Sequence, residues 1–208
     1  FYAKAVLELL KKSPVGADQI RAIGSHGQTV FHDPSVHQTI QLGDPNILAL
    51  ETKIRTVADF RRKDCALGGQ GAPLVPAFHQ AMFQDESCMR VVINIGGIAN
   101  VTVLPSIGSD QMVIGYDTVP GNLLLDAWCM RHRNQPYDSK GQWARTGSLN
   151  ARLLAHCLMD DYFARSYPKS TGRDDFNLQW LDAILADVSF KDIAPEEVAR
   201  TLVELTAV

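Results

Sequence analysis

A pair of glycines between two apolar runs constrains this chain more than any other feature of its sequence. Residues 91–95 (VVINI) and 98–104 (IANVTVL) are rich in β-branched side chains, and Gly96 and Gly97 separate them. The pattern predicts two antiparallel strands joined by a tight turn in which the glycines take positive φ. Backbone N–H groups at such a turn also form a small positive concavity, so the pair is either a plain turn or an anion-binding hairpin.

A lone aspartate follows the next apolar run. Residues 112–116 (MVIGY) predict a third strand, which places Asp117 just past its end. The loop that follows contains Thr118 and runs into a helix predicted to begin at Asn122, and helix N-termini attract anions. A carboxylate in this place can orient Mg²⁺-bound water or accept a proton from an attacking oxygen; the alternative is a turn or N-cap aspartate.

Before the hairpin, strand-like runs alternate with helix-like runs, which indicates an α/β fold. The predicted strands are residues 20–23, 38–42 and 55–60, and the predicted helices are residues 2–12, 47–52 and 74–83. The polar segment 84–87 is the predicted boundary between a first domain, residues 1–87, and a second, residues 88–208. Beyond Pro136 the pattern is mainly helical, with an interruption at residues 170–173.

Polar residues also follow two of the earlier strands. His26 and Gln28 lie in a loop predicted for residues 24–29, and Asp59 and Arg61 come at the end of the 55–60 run. Ligands of open α/β sheets collect at the carboxyl ends of strands, so these segments predict a site for a hydroxylated ligand. His26 is a candidate general base or a backbone cap. Arg61 or its neighbour Arg62 is a candidate for a substrate carboxylate, with a solvated surface as the alternative.

The composition excludes several classes of partner. A net charge of -3 gives no reason to expect nucleic acid or an anionic membrane surface. The four cysteines are far apart and have no metal-ligand spacing, which favours reduced thiols in the cytoplasm. No segment reaches the roughly 18 apolar residues that a membrane span needs. We therefore expect a cytoplasmic protein that acts on small molecules.

Several runs, spread in order over nearly the whole chain, resemble the anhydro-N-acetylmuramic acid kinase family. They are residues 23–34 (IGSHGQTVFHDP), 40–49 (IQLGDPNILA), 55–64 (RTVADFRRKD), 68–79 (GGQGAPLVPAFH), 94–105 (NIGGIANVTVLP), 115–122 (GYDTVPGN) and 169–182 (KSTGRDDFNLQWLD). The resemblance implies a bacterial, cytoplasmic sugar kinase of cell-wall recycling. It also implies the two-domain actin-like (ribonuclease H-like) sugar-kinase fold, a mixed sheet with flanking helices.

The implied reaction converts 1,6-anhydro-N-acetylmuramic acid, ATP and water to N-acetylmuramic acid 6-phosphate, with Mg²⁺ as cofactor. Asp117 matches the aspartate of the family's Asp-Thr-Gly-Pro-Gly-Asn motif, the base that activates the water. The hairpin resembles a phosphate loop, and its expected ATP-binding residues are Asn94, Gly96, Gly97 and Asn100. The expected substrate-binding residues are His26, Gln28, Asp59, Arg61, Thr118 and Asn122. Homodimerisation is also expected from the family.

The sequence departs from the family pattern in two ways. Val119 stands where the family has glycine, and if that position needs positive φ, a β-branched residue costs of order 1–3 kcal/mol and displaces Asp117. The family's Gly-Thr-Ser-x-Asp-Gly loop would precede Phe1, and its C-terminal nucleotide segment would follow Val208, so each domain is expected to be incomplete. Three alternatives stay open: a catalytically silent fragment that binds sugar or a partner, a glycoside hydrolase that pairs Asp59 with Asp117, and an actin-like or chaperone-like ATPase.

Overall fold

Nine α-helices and three small β-sheets make up the chain, as a computed structural model describes it for residues 1–208. The chain divides into two units, unit 1 (Phe1–Leu74) and unit 2 (Val75–Val208). The prediction of an α/β structure is confirmed. The two-domain sugar-kinase architecture, with its division at residue 87, stays a prediction. None of the helices has both the length and the apolar character needed to cross a membrane.

Unit 1 contains two two-stranded sheets and three helices. Its elements are α1 (Tyr2–Lys12), β1 (Ile23–Ser25), β2 (Gln28–Asp33), β3 (Gln38–Leu42), α2 (Pro45–Thr52), β4 (Thr56–Ala58) and α3 (Phe60–Ala66), with 3-10 turns at Ala17–Gln19 and Pro34–Val36. Strands β1 and β4 are parallel, and β2 and β3 are antiparallel. The predicted loop at residues 24–29 is wrong at both of its ends. Backbone pairing extends β1 to Ser25 and starts β2 at Gln28, although these residues are polar.

Unit 2 combines one antiparallel sheet with a helical region. Its elements are α4 (Pro76–Phe83), β5 (Arg90–Ile95), β6 (Ile98–Leu104), β7 (Ile114–Pro120), α5 (Asn122–Arg133), α6 (Ala151–Cys157), α7 (Asp161–Ala164), α8 (Leu178–Leu185) and α9 (Pro195–Ala207), with 3-10 turns at Ser139–Gly141, Ala144–Thr146 and Val188–Phe190. The sheet order is β5-β6-β7, and the predicted glycine hairpin between β5 and β6 is confirmed.

The helices of unit 2 enclose a continuous apolar core. Leu124 from α5, Leu181 from α8 and Leu202 from α9 are all fully buried in it. Asparagine caps fix the starts of two core helices, because Asn150 accepts from the backbone N–H of Leu153 and Asn177 accepts from that of Trp180. The same helical region supplies the segment that contacts the sheet at Asp117.

Candidate functional site

The sequence had suggested that Asp117 lies just past the end of a strand. In the structure it lies in the middle of strand β7. Strand β7 continues to Pro120 because β6 pairs with it as far as Ile98, across a bulge next to Asn100. Proline is tolerated at a strand end on a sheet edge, so Pro120 does not end the pairing early. Asp117 is therefore a buried strand residue, with 6% of its surface exposed.

Three polar residues cross the sheet in one row. Asn94 pairs with Asn100, and Asn100 pairs with Asp117. Side chains directly opposite each other share one face of the sheet, with Cβ atoms roughly 4.5–5.5 Å apart. The backbone N–H and C=O of Asp117 point away from β6, so the Asn100–Asp117 pair is the non-hydrogen-bonded type, in which side chains lie closest. The side-chain oxygen of Asn100 is buried, and no protein group donates a hydrogen bond to it.

A segment outside the sheet fixes Asp117. The backbone N–H of Asp117 donates to the carbonyl oxygen of Lys169 (3.2 Å), and the hydroxyl of Tyr162 donates to the carbonyl oxygen of Asp117 (2.7 Å). The backbone N–H of Thr171 donates to the carboxylate Oδ2 of Asp117 at 3.1 Å. A backbone donor favours the ionised form of a carboxylate and also sets its orientation. Thr171 thus orients the carboxylate, and Lys169 and Tyr162 hold the backbone that carries it.

Burial keeps the hydroxyl of Tyr162 protonated, so this group can donate a hydrogen bond. Desolvation raises its pKa above the ordinary value, and the negative charges of Asp117 and Asp175 raise it further. The ring packs edge-on against Phe176, which in turn packs edge-on against Trp180. Sequence reasoning missed these contacts because the partners are distant in the chain. The only signal was the helix interruption at residues 170–173.

The hairpin tip contacts the start of helix α5. The carbonyl oxygen of Gly96 accepts from the backbone N–H of Asn122, and the carbonyl oxygen of Gly97 accepts from those of Gly121 and Leu123. These N–H groups of the helix N-terminus are therefore engaged by protein. This contact explains Gly121, because a Cβ there would lie 2.3 Å from the carbonyl oxygen of Gly96.

Neither hairpin glycine takes positive φ, so that expectation is wrong. Internal packing does not require glycine at these positions either. A Cβ on Gly96 would lie 3.7 Å from its nearest neighbour atom, and one on Gly97 would lie 3.9 Å from its nearest. Small residues with open space in front of them leave the backbone accessible to a ligand that approaches closely.

Residues next to Asp117 have internal roles. Val119 lies within β7 and is not among the residues with positive φ, so the anticipated strain on Asp117 does not arise. The hydroxyl of Thr118 donates to the carbonyl oxygen of Ala99 at 3.1 Å. Asn122 is the first residue of α5, and its side chain is exposed.

In unit 1 the ends of two parallel strands bring the predicted polar residues together. Ser25 of β1 pairs with Ala58 of β4, so His26 and Asp59 follow adjacent strand ends. The guanidinium Nε of Arg61 lies 2.8 Å from Nε2 of His26. Because a guanidinium only donates, Nε2 accepts, and Nδ1 then donates to the carbonyl oxygen of Gly27 (2.8 Å). Both ring nitrogens of His26 are engaged, and neither is open to take a proton from a ligand.

Asp59 lines a cleft of about 400 Å³ in unit 1, next to the His26 loop. It has a left-handed backbone conformation (φ 64°), and its side chain does not cap helix α3. Such conformations are found preferentially at functional sites. Other lining residues are Ser25, His26, Thr39, Gln41, Asn46 and Arg62. Gln28 does not line this cleft, and its amide approaches only the carbonyl oxygen of Thr29, at 3.4 Å.

The described side chains include no group of three or more histidine, cysteine, aspartate or glutamate residues placed to hold a metal ion. The row on the sheet offers only oxygen donors, from Asp117 and the two asparagine amides. Mg²⁺ prefers oxygen ligands and usually takes one or two carboxylates together with substrate phosphates. The row therefore fits Mg²⁺ bound mainly through a phosphorylated ligand, and not a metal in a protein cage.

Comparison with known proteins gives one family over the whole chain. A model of the anhydro-N-acetylmuramic acid kinase family matches residues 1–208. The chain belongs to this family. Curated family members named anhydro-N-acetylmuramic acid kinase are 57% identical in Vibrio cholerae over 208 residues and 57% identical in Vibrio parahaemolyticus over 209 residues. A member from Coxiella burnetii is 52% identical over 208 residues.

These alignments cover 99–100% of this chain but 55% of each relative. The chain thus spans about half the length of the curated family members it matches. Family membership confirms the resemblance seen in the sequence.

Proposed function

We propose that the protein acts as an ATP-dependent kinase that converts 1,6-anhydro-N-acetylmuramic acid and water to N-acetylmuramic acid 6-phosphate. The observation that carries this proposal is the buried carboxylate of Asp117, held by Thr171, on the sheet that also bears the glycine hairpin. The names of the relatives support a kinase that acts on anhydro-N-acetylmuramic acid.

Asp117 is proposed as the general base. The oxygen of an attacking water forms a bond to C1 of the sugar, the C1–O6 bond of the anhydro bridge breaks, and the proton of the water passes to Asp117. The freed O6 attacks the γ-phosphorus of ATP, and ADP leaves. The fixed orientation of the carboxylate lowers the entropic cost of this step.

The hairpin is proposed to bind the ATP phosphates. The open space in front of Gly96 and Gly97 lets their backbone approach an anion, and Asn94 lies at the exposed end of the adjacent polar row. Asn100, further along that row, was expected to bind ATP as well. Mg²⁺, where bound, would supply neutralisation of the phosphate charge and would be held mainly by the phosphates, with the exposed Asn94 oxygen as a suitable protein donor.

Unit 1 is proposed to recognise the sugar. Its cleft presents Asp59 and the His26 loop, and Arg61 is held beside His26 with its guanidinium fixed. Arg61 or Arg62 is proposed to bind the lactyl carboxylate, because a guanidinium matches a carboxylate in geometry. The proposed substrate contacts of Gln28, Thr118 and Asn122 rest on the family resemblance alone.

The finer features of the family are proposed on the same basis. They are a two-domain actin-like sugar-kinase fold divided near residue 87, a cytoplasmic location and a homodimer. The mixed α/β structure and the presence of two units support a two-domain fold, although the units divide between Leu74 and Val75.

The reaction is tested by incubating the chain with the anhydro sugar and Mg-ATP and measuring the 6-phosphate by mass spectrometry. We expect product from the unmodified chain and a loss of at least roughly 10²-fold in Asp117→Asn, which keeps the size of the side chain but removes the base. Asp110→Asn, in the exposed loop before β7, is the matched control and keeps full activity.

The alternatives predict other outcomes. Sugar binding in a titration calorimeter without turnover favours a silent binding protein. Hydrolysis of the anhydro bridge without ATP favours a glycoside hydrolase, and ATP hydrolysis unaffected by the sugar favours an actin-like ATPase. Any of these results contradicts the proposed kinase reaction.

A further inference from the structure

The buried amide oxygen of Asn100 is the starting point. It is shielded from solvent, and no protein group donates to it. Buried acceptors in native proteins nearly always have a donor, so one left without a protein partner indicates a ligand or an ordered water. The two threonine hydroxyls of β6 and β7 have partners within the protein, Thr118 at the carbonyl oxygen of Ala99 and Thr102 at a histidine. Thr102, two residues further along β6 on the same face, contacts Nδ1 of His79 at 2.9 Å.

The neighbour of Asn100 narrows the choice of donor. Asn100 pairs directly with Asp117, whose carboxylate is also an acceptor. The oxygen of Asn100 still needs a donor, and a water molecule that donates one hydrogen to it has a second hydrogen for the neighbouring carboxylate, in addition to the N–H of Thr171. A sugar hydroxyl has a single hydrogen and satisfies only one of the two. Asn100 and Asp117 are directly opposite each other on neighbouring strands, so their side chains share one face of the sheet.

We infer that Asn100 and Asp117 together hold the attacking water of the proposed reaction. With one hydrogen directed to each residue, the lone pairs of the water point outward, where a reacting carbon approaches. During the reaction its proton passes to Asp117, and Asn100 keeps the oxygen in place without taking part in proton transfer. This inference rests on the proposed function and changes the role of Asn100 from phosphate binding to water positioning.

The first test is high-resolution diffraction from crystals of the chain. We expect an ordered water within hydrogen-bond distance of both the Asn100 oxygen and the Asp117 carboxylate. The density is retained in Asn100→Asp, which keeps an acceptor, and lost in Asn100→Leu, which is close in size and has none. A protein donor on Asn100, or a water that contacts only one of the two residues, overturns the inference.

The second test separates water positioning from phosphate binding by kinetics. We expect Asn100→Leu to lower kcat by roughly 10²-fold with little change in KM for ATP. Asn100→Asp keeps more activity but shifts the lower limb of the pH–rate profile upward, because a second carboxylate makes ionisation of Asp117 harder. A raised KM for ATP with normal kcat overturns the inference.

A control variant and a comparison of outcomes make these two tests specific. Thr102→Val removes a partnered polar group from the same strand face, so it is expected to lower Tm without lowering kcat in this way. If the unmodified chain makes no 6-phosphate, the proposed function fails. The diffraction density then still decides whether Asn100 and Asp117 share a water.

Discussion

The two units differ in how much apolar surface each one buries within itself. Unit 2 has a continuous core from helices α5, α6, α8 and α9. In unit 1 the only fully buried apolar side chains are Leu48, Ile54 and Cys65. The proposed base lies on a strand in the well-packed unit, whereas the unit 1 residues proposed to bind the sugar lie on loops, at strand ends and in the first turn of α3. The comparison teaches that the proposed base, which needs a fixed orientation, lies in the unit with the larger apolar core. The loops proposed to recognise the sugar lie in the unit that buries less apolar surface.

The largest expected effect is in the aromatic cluster of unit 2. Phe176 is 1% exposed and packs against Tyr162 and Trp180. Phe176→Ala should lower the free energy of unfolding by about 3–5 kcal/mol, because it removes buried surface and leaves a cavity. Leu67→Ala, at a unit 1 residue that is 79% exposed, should change it by no more than about 0.5 kcal/mol. Urea denaturation measures both, and equal effects would contradict the comparison.

The next largest effect is a difference in stability between substitutions at two glycines of unit 2. Gly121→Ala should cost about 1–3 kcal/mol, since its Cβ meets the carbonyl oxygen of Gly96, while Gly96→Ala should leave stability nearly unchanged. Thermal unfolding checks this difference. Titration with Mg-ATP should show weaker binding for Gly96→Ala, because the added methyl group obstructs the phosphate approach. Unchanged ATP binding in that variant would count against the hairpin as a phosphate site.

A smaller effect concerns Tyr162. Tyr162→Phe should cost about 1 kcal/mol at neutral pH through loss of its hydrogen bond to Asp117. The pKa of Tyr162 is raised in the folded chain above its ordinary 10.0, so its stabilising contribution is complete below pH 10 and is lost as the pH rises through the folded value. Unfolding measured from neutral pH to above pH 10 should show that the gap between wild type and variant narrows.

Other alkaline titrations do not disturb that measurement. Burial raises the pKa of Cys157 to about 12, and this thiol is present in both chains, so its effect cancels in the difference. A constant gap across the whole pH range would show that the Tyr162 hydroxyl does not stabilise the fold through its protonated form.

The smallest effect on stability is expected in unit 1. His26→Ala should change the free energy of unfolding by no more than about 0.5 kcal/mol, since the contact with Arg61 is exposed. The same variant should weaken anhydro-sugar binding, because Arg61 loses one of the contacts that fix its guanidinium, while its contact with the carbonyl oxygen of Gly71 stays. Calorimetric titration measures this, with Arg21→Ala at an exposed position as control. A large loss of stability in His26→Ala would contradict the claim that this part of unit 1 contributes little to the stability of the chain.

The sequence predicted the elements of this chain better than their ends. The hairpin was evident because β-branched residues flank a glycine pair, and helix α5 was evident from its apolar pattern. The end of β7 was not, because Pro120 and Gly121 are typical of a loop, whereas pairing with β6 overrides that tendency. Strand β2 (Gln28–Asp33) was missed entirely, because its first residues are polar and its pairing with β3 is not evident from local sequence.

The candidate site was predictable only in part. Local sequence indicated Asp117 and the glycine hairpin, and polar residues after strands indicated the segments of His26 and Arg61, but their direct contact was not predicted. The contacts of Tyr162 and Thr171 with Asp117 join residues 45 and 54 positions apart, and no local pattern encodes them. The hydrogen bonds of His26 also depend on which ring nitrogen carries the proton. The contact with Arg61 decides this, and local sequence does not show it.

The contacts that fix Asp117 also protect an edge of the sheet. Strand β7 is an outer strand, and an outer strand presents unpaired N–H and C=O groups that can recruit a strand from another molecule. At Asp117 these groups are already occupied by Lys169 and by Tyr162. One short segment thus orients the proposed base. It also occupies the backbone groups of Asp117 with which an added strand would otherwise pair.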